Sequence, residues 1–157
     1  MLTMNQHTAS TSEQELVITR VLDAPRQLVF EAWTKREHLV RWCAPRDFTI
    51  THCEGVLQPG GAWRTCMKSP DGIDFWVGGE YREIVPDERL VFTHVWDEED
   101  GTPGHETLVT VSFTEAGVGK TQLTFRQTGF RSTSSRDGHE GGWTESFDNL
   151  QAVLRAM

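Results

Sequence analysis

Seventeen residues near the end of the chain, Glu140 to Ala156, read as one amphipathic helix that follows a long succession of strands. Trp143, Phe147, Leu150, Leu154 and Met157 recur at helical spacing with Val153 beside them, whereas Glu145, Asp148, Asn149 and Gln151 fall elsewhere. Gly141-Gly142 offers a flexible entry, and Glu145 in the first turn and Arg155 in the last suit the helix macrodipole. An apolar stripe of this length must be buried, and the large partner that the preceding sequence can build is a sheet.

That sheet is written in alternation and turn chemistry. Glu15 to Asp23 (ELVITRVLD) predicts a first strand. Pro25 sets a first helical position, with Asp23 close enough to help cap it and Val29, Phe30, Ala32 and Trp33 as its apolar face. A second short helix carries Leu39 and Trp42 and stops at Pro45. Six more strands are predicted, at Phe48 to Val56, Ala62 to Lys68, Phe75 to Val85, Leu90 to Asp97, Glu106 to Thr114 and Thr121 to Thr128. Between them lie turn-formers such as Pro59-Gly60-Gly61, Ser69-Pro70-Asp71-Gly72 and the acidic tip Glu98 to Gly104. Short turns imply an antiparallel meander, and Gly78-Gly79 inside a strand predicts a bulge and a sharp bend. The expected fold is therefore α+β: a curved seven-stranded antiparallel sheet of order β-α-α-β6-α wrapped around the last helix. It fills residues 15–157 as one domain, behind a polar, flexible tail over residues 1–14. The stretch Gly129 to His139 reads either as a lid leading into the helix or as a plain connector.

Composition narrows the function classes. A formal charge of -8, without a Lys/Arg cluster, argues against a nucleic-acid surface and against anionic membranes. No long apolar run points to membrane insertion or secretion, so a cytoplasmic protein is expected. Cys43, Cys53 and Cys66 lack paired metal-type spacing and read as free buried thiols in a reducing compartment. No nucleophile elbow, phosphate-binding loop, dinucleotide fingerprint or zinc-protease motif is present, and no metal or cofactor is expected.

Six Trp and eight Phe against one Tyr leave an aromatic surplus. Where a curved sheet and a helix meet incompletely, an apolar cavity opens, and these rings are candidates to line it. The candidates are Trp42, Trp63, Trp76, Trp96 and Trp143, with Tyr81, Phe92, Phe113, Phe125 and Phe147. For each ring the competing reading is ordinary core packing. His94 is the titratable candidate, because Phe92, His94 and Trp96 share one strand face. If that face is concave, His94 can orient a ligand oxygen or act as acid or base; otherwise it is solvated or satisfied by a neighbouring strand. Glu80 and Tyr81 face opposite ways, so at most one enters the cavity; His52 and Cys53 likewise cannot share a metal. Arg64 and Arg126 read as a partner for a ligand acid or as exposed cross-strand partners.

The run Asp23-Ala24-Pro25, Val29 to Thr34, Leu39 to Trp42, Pro59 to Arg64, Pro70-Asp71-Gly72, Gly79-Glu80-Tyr81, Ile84 to Thr93 and Gly142 to Phe147 resembles the bacterial activator-of-heat-shock-protein-ATPase-like family of the START-like, helix-grip superfamily. The resemblance spans residues 15–157 and implies a deep pocket under the C-terminal helix. It departs at Cys43-Ala44-Pro45, where many relatives carry a second Trp and a Gly before the Pro, which would reshape one end of the cavity. The function it implies first is binding of a small apolar or aromatic molecule. A cyclase, aromatase or hydrolase pivoting on His94 is the alternative from the enzyme class, and regulation of a chaperone ATPase is the alternative from the interaction class. Chaperone contact is the less expected, because the eukaryotic namesake has an additional N-terminal domain where this sequence has a short polar tail. A homodimer is compatible with the resemblance.

Overall fold

The computed structural model describes residues 14–157, so the tail expected over residues 1–14 lies outside the described residues except for Gln14. The elements in chain order are β1 (Glu15–Leu22), α1 (Arg26–Thr34), α2 (Arg36–Trp42), β2 (Thr49–Gly55), β3 (Ala62–Lys68), β4 (Asp74–Val85), β5 (Arg89–Asp97), β6 (Pro103–Glu115), β7 (Thr121–Thr128) and α3 (Thr133–Ala156). The strands form one sheet of order β1-β7-β6-β5-β4-β3-β2, antiparallel at every pairing. This is the predicted α+β helix-grip arrangement. The α1–α2 pair carries the chain from one edge of the sheet to the other, which leaves β2 to β7 free to follow as a simple meander.

Period-two alternation decides the inner face. Thr107, Val109, Val111 and Phe113 on β6 and Thr121, Leu123, Phe125 and Gln127 on β7 are all buried, while residues between them are more accessible. Against this face α3 buries Phe147, Leu150, Val153 and Leu154, the predicted stripe; Met157, expected to continue it, is exposed at the helix end. Trp33 of α1 and Trp42 of α2 complete the core, their rings 4.8 Å apart, and the Trp42 indole donates to the Ala32 carbonyl at 2.9 Å.

Three local expectations are corrected. The last helix starts at Thr133, not at Glu140, so Gly141-Gly142 lies inside it. The Ser132 side chain caps it by accepting the Ser135 N–H at 3.1 Å. Asp23 does not cap α1; its carboxylate binds Lys120 at 2.6 Å and Arg155 at 3.8 Å, tying the β1–α1 corner to the β6–β7 turn and to the end of α3. Gly78-Gly79 is not a bulge. Pairing with β3 runs unbroken through both glycines, and the register shift against β5 lies between Tyr81 and Glu83.

The glycines serve close approach instead. A Cβ on Gly79 would sit 2.0 Å from the Thr93 carbonyl oxygen, whose position is shared by the Trp63 indole N–H at 3.1 Å. Glu80 N–H also donates to Thr93 Oγ1 at 2.9 Å, so β4 and β5 are held together at this point. Gly79→Ala is therefore expected to destabilise the protein by about 1–3 kcal/mol or more, seen as a lower urea midpoint at unchanged slope.

Candidate functional site

The sheet is not covered evenly. Over β6 and β7 the helices pack closely, with Phe125 and Phe147 rings 5.4 Å apart and Phe113 against Phe30 at 5.8 Å. Over β3, β4 and β5, by contrast, a cavity of about 420 Å³ remains beneath the first half of α3, a volume typical of small-molecule sites. Trp63, Tyr81, Phe92, His94, Trp96 and Trp143 all border it. Cys43, Ala44 and Pro45 border it as well, so the segment that departs from the family pattern lies on the wall.

Five expected lining residues lie elsewhere. Trp42, Phe113, Phe125 and Phe147 point to the inner side but are buried in the tightly packed half of the core. Trp76 faces the outside of the sheet, where its ring lies 5.3 Å from that of His52 and 4.9 Å from the Arg64 guanidinium carbon. The remaining outward groups follow the same logic: Arg64 forms a bidentate pair with Asp97 at 2.8 and 2.5 Å, Arg126 binds Glu15, and Glu80 pairs with Arg82 at 3.3 Å.

His94 does enter the wall. It is 5% exposed, and its ring centroid lies 5.5 Å from Trp96, 5.8 Å from Trp143 and 6.0 Å from Trp63. Neither ring nitrogen finds a hydrogen-bond partner among the described residues, Nδ1 being fully enclosed. Burial, reinforced by the nearby His139 ring, pushes its pKa down to about 3, so the imidazole is neutral at physiological pH. Trp33, which also borders the cavity, has an indole N–H buried without a partner.

Two features were missed in the sequence. Ser135, His139, Gly142 and Ser146 recur along α3 at steps of four, three and four and form the strip that roofs the cavity. His139 anchors that roof: the Trp96 indole donates to its Nε2 at 2.9 Å and its Nδ1 meets the Ser135 carbonyl at 2.7 Å. The spacing of four between His139 and Trp143 is the signal that could have placed it. Behind the wall, Trp143 donates to Gln127 Oε1 at 3.0 Å, Gln127 Nε2 donates to Thr107 Oγ1 at 2.8 Å, and Thr107 Oγ1 donates to the His94 carbonyl at 3.2 Å. This buried chain fixes the Trp143 ring relative to the strand that carries His94.

The thiols behave as buried apolar groups. Cys43 keeps some accessible surface where it borders the cavity, yet it is enclosed deeply enough that burial, with a smaller contribution from Cys53, pushes its pKa up to about 12. Burial raises Cys53 as well, against the lowering effect of a hydrogen bond with Thr65, and burial sends the Tyr81 phenol to about 12. Among the described residues no group of three or more His, Cys, Asp or Glu is placed to hold a metal ion, and no helix is long and apolar enough to cross a membrane.

A curved antiparallel sheet gripping one long helix above a cavity defines the helix-grip class. The family model described as "Activator of Hsp90 ATPase homolog 1-like protein" matches residues 23–155, and the chain belongs to that family. Among solved structures it is similar to a protein of Rhizobium leguminosarum, at 29% identity over 91% of this chain and 95% of that one, with a TM-score of 0.74. It is similar also to a protein of Chromobacterium violaceum, at 25% identity over 90% and 96% with a TM-score of 0.82. An AHSA1 protein of Silicibacter pomeroyi shares the fold at 22% identity over 90% and 98%, with a TM-score of 0.82. No protein of curated function matches this chain.

Proposed function

We propose that this protein binds a small apolar or aromatic molecule in the cavity beneath α3, with the aromatic walls excluding water and His94 orienting the guest. One observation carries the reading: a buried imidazole in the cavity wall whose Nε2, the ring nitrogen that is not fully enclosed, has no partner among the described residues. A guest that hydrogen-bonds to Nε2 gains a directional bond worth about 0.5–1.5 kcal/mol net in an otherwise apolar enclosure. The test is thermal melting against a panel of lipids, sterols and polyketide-like aromatics. At least one compound is expected to raise the melting temperature saturably, as a ligand of the native state must. A panel without any such compound overturns the reading.

Catalysis is the second reading, favoured by the inward direction of His94. Among the described residues no carboxylate hydrogen-bonds to this imidazole, and burial holds it neutral, which suits orienting a carbonyl or hydroxyl better than accepting a proton at physiological pH. Regulation of a chaperone ATPase, the activity in the family's name, is separated from both by measuring the chaperone's ATP turnover with and without this protein.

A further inference from the structure

The cavity wall carries no formal charge. Among the described residues that border it there is no Asp, Glu, Lys or Arg. Its titratable members are held neutral: Cys43, Cys53 and Tyr81 are raised by burial and His94 is lowered by it. His139 is engaged at both ring nitrogens. Nε2 accepts from the Trp96 indole and Nδ1 meets the Ser135 carbonyl, so neither faces a guest unpartnered. The charged side chains nearby stand outside. Arg36 and Glu54 border a neighbouring hollow on the α2–β2 side, where Arg36 Nε donates to the Cys53 carbonyl at 2.8 Å. Arg64 is spent on Asp97 at the outer face of the sheet.

The polar groups left for a guest are therefore neutral ones, His94 Nε2 and the hydroxyls of Tyr81 and Ser134, set among aromatic rings; His94 Nδ1 and the Trp33 indole N–H are enclosed by protein. The Nε2 of a neutral imidazole donates or accepts according to its tautomer, and either role is met by a hydroxyl, the donor role also by a carbonyl oxygen. A carboxylate or ammonium group would be stripped of water with no opposite charge on the wall to meet it.

We infer that the cavity selects uncharged aromatic molecules that bear a hydrogen-bonding oxygen, of the phenol or aromatic ketone class, and rejects carboxylates and ammonium ions of the same shape. The inference rests on reading the cavity as a ligand site. Four probes of one shape test it by calorimetric titration: naphthalene, naphthol, naphthoate and naphthylmethylammonium. Naphthol is expected to bind about tenfold more tightly than naphthalene, and both charged probes about a hundredfold more weakly than naphthol. His94→Leu should bring naphthol down to the affinity of naphthalene, and His94→Gln, which keeps a donor and an acceptor, should restore part of the difference. Either charged probe binding as tightly as naphthol overturns the charge selection while leaving the ligand site in place. Equal affinity for naphthol and naphthalene overturns the role of the oxygen. Failure of all four to bind overturns both the selection and the ligand-site reading beneath it.

Discussion

Phe147→Ala is expected to remove about 3–5 kcal/mol of stability, read as a large fall in the urea midpoint. The side chain is fully enclosed, with ring centroids of Phe125 at 5.4 Å, Trp143 at 5.7 Å, Trp33 at 6.0 Å and Trp42 at 6.3 Å around it. It is thus the residue through which α3, α1, α2 and β7 share one core. Truncation leaves a void bounded by rings that belong to four different elements, none of which can move inward without dragging its own helix or strand along. A loss below about 1 kcal/mol would mean that α3 is not seated on the sheet as described.

The same position shows what the sequence could and could not say about the site. Strands were legible because period two is rigid: in β7, Thr121, Leu123, Phe125 and Gln127 all turn inward, as their alternation requires. Parity also explains the error at Trp76. A bulge at Gly78-Gly79 would have let Trp76 and Tyr81 share a face, but the register shift comes after Tyr81, so parity is kept and Trp76 points out. Trp42, Phe113, Phe125 and Phe147 lie on the expected side but in the packed core rather than on the cavity wall. Which part of the concave face stays uncovered depends on how α3 lies across the sheet, and no local pattern encodes that angle. His139 was hidden for a local reason: Gly138, Gly141 and Gly142 mask the first turns of α3 as a loop, each costing a helix about 1 kcal/mol relative to Ala. The Ser132 cap and the contacts of Trp96 and Phe130 with His139 help hold those turns helical.

Acid should expose His94. In the folded protein its pKa is about 3, below the ordinary value of 6.5, because burial and the neighbouring His139 disfavour the imidazolium. Between those two values the unfolded chain binds the proton and the folded chain does not, so stability rises with pH across this window. Stated in the other direction, the contribution is complete above about pH 6.5 and is lost progressively as pH falls toward 3. The limiting slope is about 1.4 kcal/mol per pH unit. The salt-bridged carboxylates Asp97, Asp23 and Glu83 also weaken the fold when protonated, but their pKa values lie below the ordinary carboxylate range, so their loss falls at the acid end. The interval from pH 6 to 4.5 lies above most of that loss, and within it the difference in slope between the wild-type chain and a His94 variant reports this imidazole. Urea midpoints measured across it should fall steeply for the wild-type chain and only weakly for His94→Gln, whose neutral amide takes up no proton. Identical slopes in the two proteins would place His94 in contact with water. It would then cost nothing to leave unpaired, and the strongest reason to expect a ligand oxygen beside it would be gone.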